Sequence, residues 1–430
     1  MASRAFTISK IAIIGAGPSG ITSAKYLLAQ RAFASIVLFE QQPESAPAGV
    51  WHYTSAAPPA PQGPQTDPFT HPILPSRPEI IRDYVARYGQ DVKHLVRYSR
   101  EVVDLRPTLV DDGGRAAWDL TARSTLTGDR ERHTFDAVVV ANGHYSVPFI
   151  PHIPGLADFA AAHPGAALHS KQFRAPRAFE GQRVVVVGNG PSGLDIGYQI
   201  HRDARELFLS VRSPTPPEKL AHVGAEEIAE IAEFLPASRG VRLVDGRVID
   251  AVDTVVFCTG FIFSYPFLRE SIPGLITGGK GVHGLYRHLF CIEHPTLVFP
   301  GLLMRAVPFP VAEAQAAAFA AVWANALSLP PVEEQWKESK GLDDDLGDAI
   351  HVLPKMADAI YINELHDWVG TAKTKGKEPP RWGPFEFWQR KIFAEAKLAF
   401  ERDGCKAKSL EELGFHFDQG AEGFAQESEP

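Results

Sequence analysis

Cysteine and long apolar runs are scarce in this chain of 430 residues, and each scarcity excludes a class of protein. The three cysteines are too few for a disulfide framework and include no C-x-x-C pair. They argue against a dithiol reductase and predict a reducing compartment, the cytoplasm. No run of 18 or more apolar residues occurs, so we expect no membrane span. The apolar run from Ile11 is too short for a signal peptide and leads directly into a glycine turn.

Charge and histidine spacing exclude further classes. The formal net charge of −8 argues against a nucleic-acid partner, which would need basic patches. The 16 histidines include no H-x-x-x-H spacing, so we expect no metal, and the chain has no G-x-S-x-G elbow of a hydrolase. The composition, 45% hydrophobic and 22% charged, is typical of a soluble globular protein, and the length predicts two or three domains.

One internal repeat organises the sequence. KIAIIGAGPSG occupies 10–20, and RVVVVGNGPSG occupies 183–193. Each copy is an apolar β-branched run followed by G-x-G-P-S-G and a helical pattern. A continuously apolar strand is what a parallel sheet covered on both faces requires. The repeat therefore predicts two Rossmann-like dinucleotide-binding units in one chain.

The first copy carries the features of a dinucleotide site. Gly15 allows the tight strand-to-helix turn, Gly17 the close approach of a pyrophosphate, and Gly20 the packing of helix on strand. Pro18 suits the first helical position, and the helix N-terminus offers N–H groups to phosphates. Glu40 ends the second strand about 20 residues later, where an acid binds ribose hydroxyls.

The second copy ends differently. Gly188, Gly190 and Gly193 repeat the turn, but the following strand ends in Ser210 and Arg212 instead of an acid. An arginine at this place suits a 2′-phosphate, which favours NADP over NAD. Two sites, the first ending in an acid and the second in an arginine, predict FAD and NADPH.

The predicted fold is α/β, with two Rossmann-like dinucleotide-binding domains, the smaller NADPH domain being inserted in a discontinuous FAD domain. We place the FAD domain at 1–150 and 256–415, the second part including a C-terminal helical cap. The NADPH domain would span 151–255, and the acidic tail 416–430 would be disordered.

Between the two copies we predict several shorter elements. A helix from 21 to 31, a strand ending at Glu40, a Pro-rich loop over 55–68 and a helix from Glu79 come first. The strands VRYSREVVDL, AAWDLTAR and FDAVVVANG would form one small sheet layered on the first unit. After the second copy, the alanine-rich segment from Ala312 would be a buried or amphipathic helix.

Further motifs match a known family. The family's fingerprint is F-x-G-x-x-x-H-x-x-x-F/Y. This chain matches it at Gly165, His169 and Phe173 and has His163 in place of the first Phe. The sequence Ala48-Gly49-Val50-Trp51 corresponds to G-G-x-W, and Thr259-Gly260-Phe261 to T-G-Y/F. Over nearly its whole length the chain resembles the flavin-containing monooxygenases, above all their soluble, fungal-type members.

The resemblance implies both a reaction and its site residues. A flavin C4a-hydroperoxide, formed with NADPH and O2, would transfer one oxygen atom to nitrogen or sulfur of a small molecule, as in secondary metabolism. The residues implied to hold FAD are Gly15, Gly17, Pro18, Ser19, Gly20, Glu40, Gln41, Gly49, Val50, Trp51, Val102, Ala141, Asn142, Gly143, Thr259 and Gly260. Those implied to hold NADP are Gly188, Asn189, Gly190, Pro191, Ser192, Gly193, Ser210 and Arg212. No catalytic base is assigned; Trp51, His169 and Gln315 are candidates that shape the site. The pattern leaves a monomer and a homodimer open.

Two alternatives remain open at this stage. The family carries a T-N-x-P element after G-G-x-W, yet no asparagine precedes Asn142 here. This absence favours an NADPH oxidase, a dehydrogenase or a pseudo-enzyme with impaired oxygenation. A Baeyer–Villiger enzyme is disfavoured, because that related group ends the fingerprint in Trp-Pro, whereas Arg174 follows Phe173 here.

Overall fold

The computed structural model describes residues 5–44, 90–109 and 116–418. The predicted loop at 55–68, the helix from Glu79 and the tail beyond 418 lie outside these ranges. No helix within the described ranges has the length and hydropathy that a bilayer crossing requires.

The described residues form strands and helices in the following order along the chain. The strands are β1 (Lys10–Ile14), β2 (Ser35–Phe39), β3 (Val96–Arg97), β4 (Arg100–Leu109), β5 (Ala116–Ser124), β6 (Arg130–Phe135), β7 (Ala137–Val140), β8 (Val147–Pro148), β9 (Ala167–His169), β10 (Arg183–Val187), β11 (Glu206–Ser210), β12 (Glu226–Ile228), β13 (Ile231–Leu235), β14 (Gly240–Leu243), β15 (Val248–Ile249), β16 (Thr254–Phe257), β17 (Phe261–Ile262), β18 (Leu285–Tyr286), β19 (Phe290–Cys291) and β20 (Leu297–Val298). The α-helices are α1 (Pro18–Gln30), α2 (Leu156–Ala162), α3 (Pro191–Ile200), α4 (Pro217–Val223), α5 (Pro308–Trp323), α6 (Val332–Leu346), α7 (Ala357–Gly370) and α8 (Pro384–Arg402). Single 3-10 turns lie at Gln90–Leu95, Ser170–Gln172, Pro176–Phe179, Pro236–Ser238, Pro266–Leu268, Gly347–Ala349 and Glu411–Leu413.

The first sheet has seven strands in the order β18-β19-β20-β7-β1-β2-β3. Its central strands β7, β1 and β2 are parallel. Along β1 the side chains alternate between two cores. Ile11 and Ile13 pack with α1 and α5, whereas Ala12 and Ile14 pack with β4 and β5 on the other face. Burial on both faces explains why this strand is continuously apolar.

One predicted grouping of strands is wrong. Strands β4, β5 and β6 do form an antiparallel sheet layered on the first sheet, but β7, from FDAVVVANG, is a central strand of the first sheet itself. The Asp136 carboxylate fixes this position, because its Oδ2 accepts the N–H groups of Ser9 and Lys10 at 2.8 Å each, just where β1 begins. The edge strand β3 also belongs to the first sheet.

The second sheet has five parallel strands in the order β12-β11-β10-β16-β9. All of them come from between β8 and β17, the two points where the chain crosses between the sheets. These crossings pair as an antiparallel ribbon, Phe261 with Pro148 and Ile262 with Val147. The fold is thus α/β, with the second Rossmann-like domain inserted within the first, as predicted. The boundaries at 150, 255 and 415 stay predictions.

The chain after β17 returns to the first domain. Strands β18 to β20 extend the first sheet, and α5 packs on α1. Twelve of the sixteen residues of α5 are buried, so of the two kinds of helix predicted from Ala312, buried or amphipathic, it is the buried one. Helix α8 then reaches the second domain, where Tyr198 Oη donates to the Glu401 carbonyl at 3.2 Å and His222 Nε2 lies 3.0 Å from the Glu401 carboxylate.

Candidate functional site

A cavity of about 300 Å³ lies at the carboxyl edge of the first sheet. The carboxyl ends of β1, β2 and β7 reach it through Ile14, Phe39 and Ala141. The first turn of α1 and the start of β4 add further walls, among them Ser19 and Val102. Ligands of open parallel sheets bind at this edge.

The three glycines of the first turn have different reasons to be glycine. Gly15 has a φ of +97°, and a Cβ there would lie 2.6 Å from the Ala141 carbonyl oxygen. A Cβ on Gly20 would lie 1.9 Å from the Gly15 carbonyl oxygen. Packing therefore explains both positions. A Cβ on Gly17, by contrast, would meet nothing within 4 Å, and Gly17 has an ordinary φ of −72°. No contact in the described structure requires glycine here, and the open space beside Gly17 leaves room for a ligand.

The beginning of α1 can receive the same ligand. Pro18 is the first helical residue, and no side chain caps this N-terminus. Its N–H groups, together with the positive end of the helix dipole, suit an anionic pyrophosphate.

Glu40 lies directly after β2 on the cavity wall and is 3% exposed. Its Oε2 accepts the N–H of Ala16 at 2.9 Å, and its Oε1 accepts the N–H of Gln42 at 2.9 Å. Burial raises the pKa of this carboxyl, and the backbone hydrogen bonds oppose that effect. Each oxygen retains a lone pair, so Glu40 can also accept a ribose hydroxyl. Gln41 lines the cavity beside it.

The wall after β7 carries polar atoms with unmet hydrogen-bonding capacity. Asn142 Nδ2 donates to the Ser264 carbonyl at 3.2 Å, while its buried Oδ1 has no hydrogen-bond partner in the described structure. Neither ring nitrogen of buried His144 reaches hydrogen-bond geometry. Burial lowers the pKa of His144 to about 4, and the nearby Gly301 carbonyl opposes this, so the ring is neutral. Gly143 lies between the two on the wall.

Lys171 joins the two domains at this cavity. It follows β9 of the second sheet, lines the cavity and donates through Nζ to the Ser146 carbonyl. Burial lowers the pKa of its ammonium to about 8, and Arg174 adds to that shift.

Sequence reasoning missed Lys171 and His144. The available signal was their proximity to two motifs, since His144 is two residues after Asn142 and Lys171 two after His169.

His169 ties the domain crossing together and does not line the cavity. Its Nδ1 accepts the N–H of Lys171 at 3.1 Å, so the proton is on Nε2, which donates to the Gly260 carbonyl at 2.8 Å. Burial lowers its pKa to about 4. The Thr259 hydroxyl donates to the Phe149 carbonyl on the other crossing. Thr259 and Gly260 thus lie at the crossing and are not among the residues that line the cavity.

Gln315 acts on the cavity through a neighbour. It is fully buried in α5, where its Oε1 accepts the Gly301 N–H at 2.8 Å and its Nε2 donates to Tyr361 Oη at 3.0 Å. Gly301 lines the cavity, and a Cβ there would lie 2.6 Å from Ser19 Oγ. Gln315 therefore holds a loop against the first turn of α1.

The second glycine turn repeats the first. A Cβ on Gly193 would lie 1.8 Å from the Gly188 carbonyl oxygen, whereas a Cβ on Gly190 would meet nothing within 4 Å. Pro191 begins α3, followed by Ser192, and no side chain caps this N-terminus either. Asn189 shapes the turn by donating to the Ser213 carbonyl at 2.9 Å.

The end of β11 presents an exposed cationic side chain, Arg212, and a hydrogen-bonded hydroxyl, Ser210. Ser210 is buried and donates to the Ala229 carbonyl at 3.0 Å. The Arg212 side chain is 84% exposed, and its Nε lies 3.1 Å from Glu230 Oε1. An incoming phosphate would therefore compete with the Glu230 carboxylate for Arg212.

Three of the residues predicted to hold FAD cannot be compared with this site. Gly49, Val50 and Trp51 lie outside the described residues. Within those residues, no group of three or more His, Cys, Asp or Glu side chains could hold a metal ion. Burial raises the pKa of Cys258 to about 12 and that of Cys291 to about 11, so both remain thiols.

Comparisons with known proteins agree with this geometry. A family model described as flavin-binding monooxygenase-like matches residues 75–216 and 227–376, and one described as FAD-NAD(P)-binding matches 12–59. The thiol-specific monooxygenase of Saccharomyces cerevisiae is 30% identical, with 88% of each chain covered. The flavin-containing monooxygenase iboF of Amanita muscaria is 28% identical over 77% of this chain and 81% of that protein. The solved structure of S-allyl-L-cysteine S-oxygenase from Allium sativum has a TM-score of 0.71 at 24% identity, with 98% of each chain covered.

Proposed function

This chain belongs to the flavin-binding monooxygenase-like family, and from that membership we propose that it places one oxygen atom of O2 on a soft sulfur or nitrogen atom of a small molecule. FAD and NADPH are its cofactors. The names of two relatives, a thiol-specific monooxygenase and an S-oxygenase of an allyl cysteine, support sulfur as the first target.

The described residues fit both cofactors. Gly17 and Gly190 leave open space beside uncapped helix N-termini, which is what two pyrophosphates require. We propose that FAD lies against the first turn, Glu40 and the wall at 141–143, and that NADPH lies against the second turn and Arg212. The corresponding domains are those expected from the sequence, 1–150 with 256–415 for FAD and 151–255 for NADPH.

When bound, the flavin supplies the redox chemistry, taking hydride from NADPH and activating O2. The chain itself holds the two domains in register. The neutral His169 donates from Nε2 to Gly260, and its Nδ1 orders the backbone of Lys171. Lys171 in turn donates to the Ser146 carbonyl and so holds the crossing at one side of the cavity.

One observation carries the proposal. The cavity beside the first glycine turn is also lined by Lys171, a residue of the second domain, and by the crossing at 145–147. The second domain thus contributes to the cavity that we assign to FAD, which supports a reaction that uses both domains. Neither of the two buried cysteines is among the described residues that line the cavity. The lining therefore favours oxygen transfer to a soft nucleophile, which needs little acid–base help, over a reaction that uses a cysteine thiol.

The test is the product balance with thioanisole and N,N-dimethylaniline as substrates. We expect the sulfoxide or N-oxide to form in proportion to the NADPH consumed. NADPH consumption matched entirely by hydrogen peroxide, with no oxygenated product, would contradict the proposal.

NADPH consumption that yields only hydrogen peroxide would instead indicate a second candidate function, that of an NADPH oxidase. The absence of any asparagine before Asn142 favours it. Asn142, however, brings an amide to the same cavity. An amide donor or acceptor beside the flavin supports oxygenation as the first candidate.

A further inference from the structure

A second cavity, of about 320 Å³, lies between α4, α8 and the segments around 305 and 353–355. Five of its eight lining residues are cationic and none is acidic; the cations are Lys219, Arg305, Lys355, Arg390 and Lys391. We call these five residues and the space between them the basic cleft. In a chain whose net charge is −8, such a concentration is local and opposite in sign to the whole.

Four of these cations are not neutralised within the described residues. Lys219, Arg305, Lys355 and Lys391 make no ion pair there. Cations that share a cleft repel one another, and an anion in the cleft would relieve that repulsion.

The walls of the cleft are fixed by a buried ion pair. The Arg390 Nε donates to Asp358 Oδ2 at 2.8 Å, and Asp358 is fully buried. The same Oδ2 accepts the Val307 N–H at 3.0 Å, while Arg390 Nη2 donates to the Arg305 carbonyl at 2.7 Å. The loop that carries Arg305 is therefore held on α7 and α8. Arg305 has a φ of +58°, a strained conformation for a residue with a side chain.

Arg305 also connects the basic cleft to the cavity beside the first glycine turn, which we call the flavin cavity, because Arg305 lines both. A ligand whose reacting atom is in the flavin cavity can thus extend a charged group past Arg305. On the opposite wall, Lys219 is in α4, which follows the strand that ends near Arg212.

We infer that the basic cleft binds the carboxylate or phosphate group of a ligand whose reacting atom lies beside the flavin. The inference rests on the proposed function for the identity of the flavin cavity. An anionic substrate is the first source, because the phosphates of NADPH already have the Gly190 turn and Arg212. The second source is a phosphate of NADPH itself.

The experiment measures binding to the FAD-loaded full chain by calorimetry, using 4-(methylthio)benzoate and its neutral analogue 4-(methylthio)benzamide. The variant combines Lys219→Gln with Lys391→Gln, and Lys375→Gln, an exposed lysine elsewhere, is the matched control. We expect tighter binding of the benzoate than of the benzamide. The double variant should weaken the benzoate by roughly three- to tenfold and leave the benzamide unchanged. Added salt should weaken only the benzoate.

A parallel titration with NADPH and NADH distinguishes the two sources. If the double variant weakens a coenzyme and not the benzoate, the anion is a phosphate of the coenzyme. Unchanged affinity for the benzoate and for both coenzymes, or an equal loss in Lys375→Gln, would overturn the inference. Because these affinities need no turnover, a failure to oxygenate thioanisole would contradict the proposed function and leave the binding result standing.

Discussion

Alanine substitutions in the first glycine turn should separate ligand binding from folding. In Gly17→Ala the added methyl group meets no described atom within 4 Å, and the φ of −72° suits alanine. The folded protein should lose no more than about 1 kcal/mol, the scale of a helix-cap change. In Gly20→Ala the methyl carbon would lie 1.9 Å from the Gly15 carbonyl oxygen, so the strand and helix must separate. We expect about 3 kcal/mol or more of destabilisation there.

FAD binding should be affected in the opposite order, more by Gly17→Ala than by Gly20→Ala. The Gly17 methyl group occupies the space beside the α1 N-terminus that we assign to the FAD pyrophosphate. Losing one charge-assisted hydrogen bond to a phosphate costs about 1.5–3 kcal/mol, so the Kd for FAD should rise roughly ten- to a hundredfold.

The assay compares the flavin-free and FAD-loaded forms of each variant. Thermal unfolding of the flavin-free protein reports the fold, and flavin fluorescence on titration reports the Kd. Gly190→Ala is the matched control, since the same change in the second turn should weaken NADPH and leave FAD unaffected. An unchanged Kd for FAD in Gly17→Ala, or a loss of flavin-free stability equal to that of Gly20→Ala, would refute the reasoning.

Three further predictions follow from single contacts. Arg212→Ala should raise the Kd for NADPH by about tenfold and leave the Kd for NADH nearly unchanged. Glu230→Gln should lower the Kd for NADPH, because it removes the carboxylate that competes for Arg212. Equal effects of Arg212→Ala on both coenzymes would show that Arg212 does not contact the 2′-phosphate. Gln315→Leu should lower the free energy of unfolding in urea by about 1–3 kcal/mol, because it leaves the half-buried Gly301 N–H without its acceptor, and a neutral result would mean that another acceptor replaces it. The pKa of His169 is lowered to about 4 by burial, so the unfolded chain binds more protons than the folded chain between pH about 6.5 and 4. The free energy of unfolding should therefore fall as the pH drops from about 6.5 toward 4, and a flat profile over this range would contradict a neutral buried ring.

Local pattern was sufficient to predict the two dinucleotide units. An apolar β-branched run followed by G-x-G-P-S-G determines a buried parallel strand, a tight turn and an uncapped helix start within about a dozen residues. The burial of α5 could be read in the same way, since its apolar residues cover every side of the helix. The insertion of one domain in the other was predicted because the second unit is short and the long segment after it has to return to the first domain.

The placement of FDAVVVANG could not be read locally. A run such as Ala137–Val140 suits any buried strand, and its pairing with β1 depends on the Asp136 carboxylate, which accepts two N–H groups far away in the sequence. The indirect role of Gln315, which reaches the cavity through Gly301, is a tertiary contact of the same kind.

The polar lining of the site was decided by tertiary structure alone. His144 and Lys171 carry no signature of their own, and burial in a shared cavity is what lowers their pKa values. The basic cleft takes its cations from α4, α8 and two loops, and its outermost members, Lys219 and Lys391, are more than a hundred residues apart in the sequence. Short-range sequence patterns predict the backbone conformation, because neighbouring residues determine where turns, strands and helices begin. Desolvation and charge depend on which distant segments meet, so only the folded chain determines them.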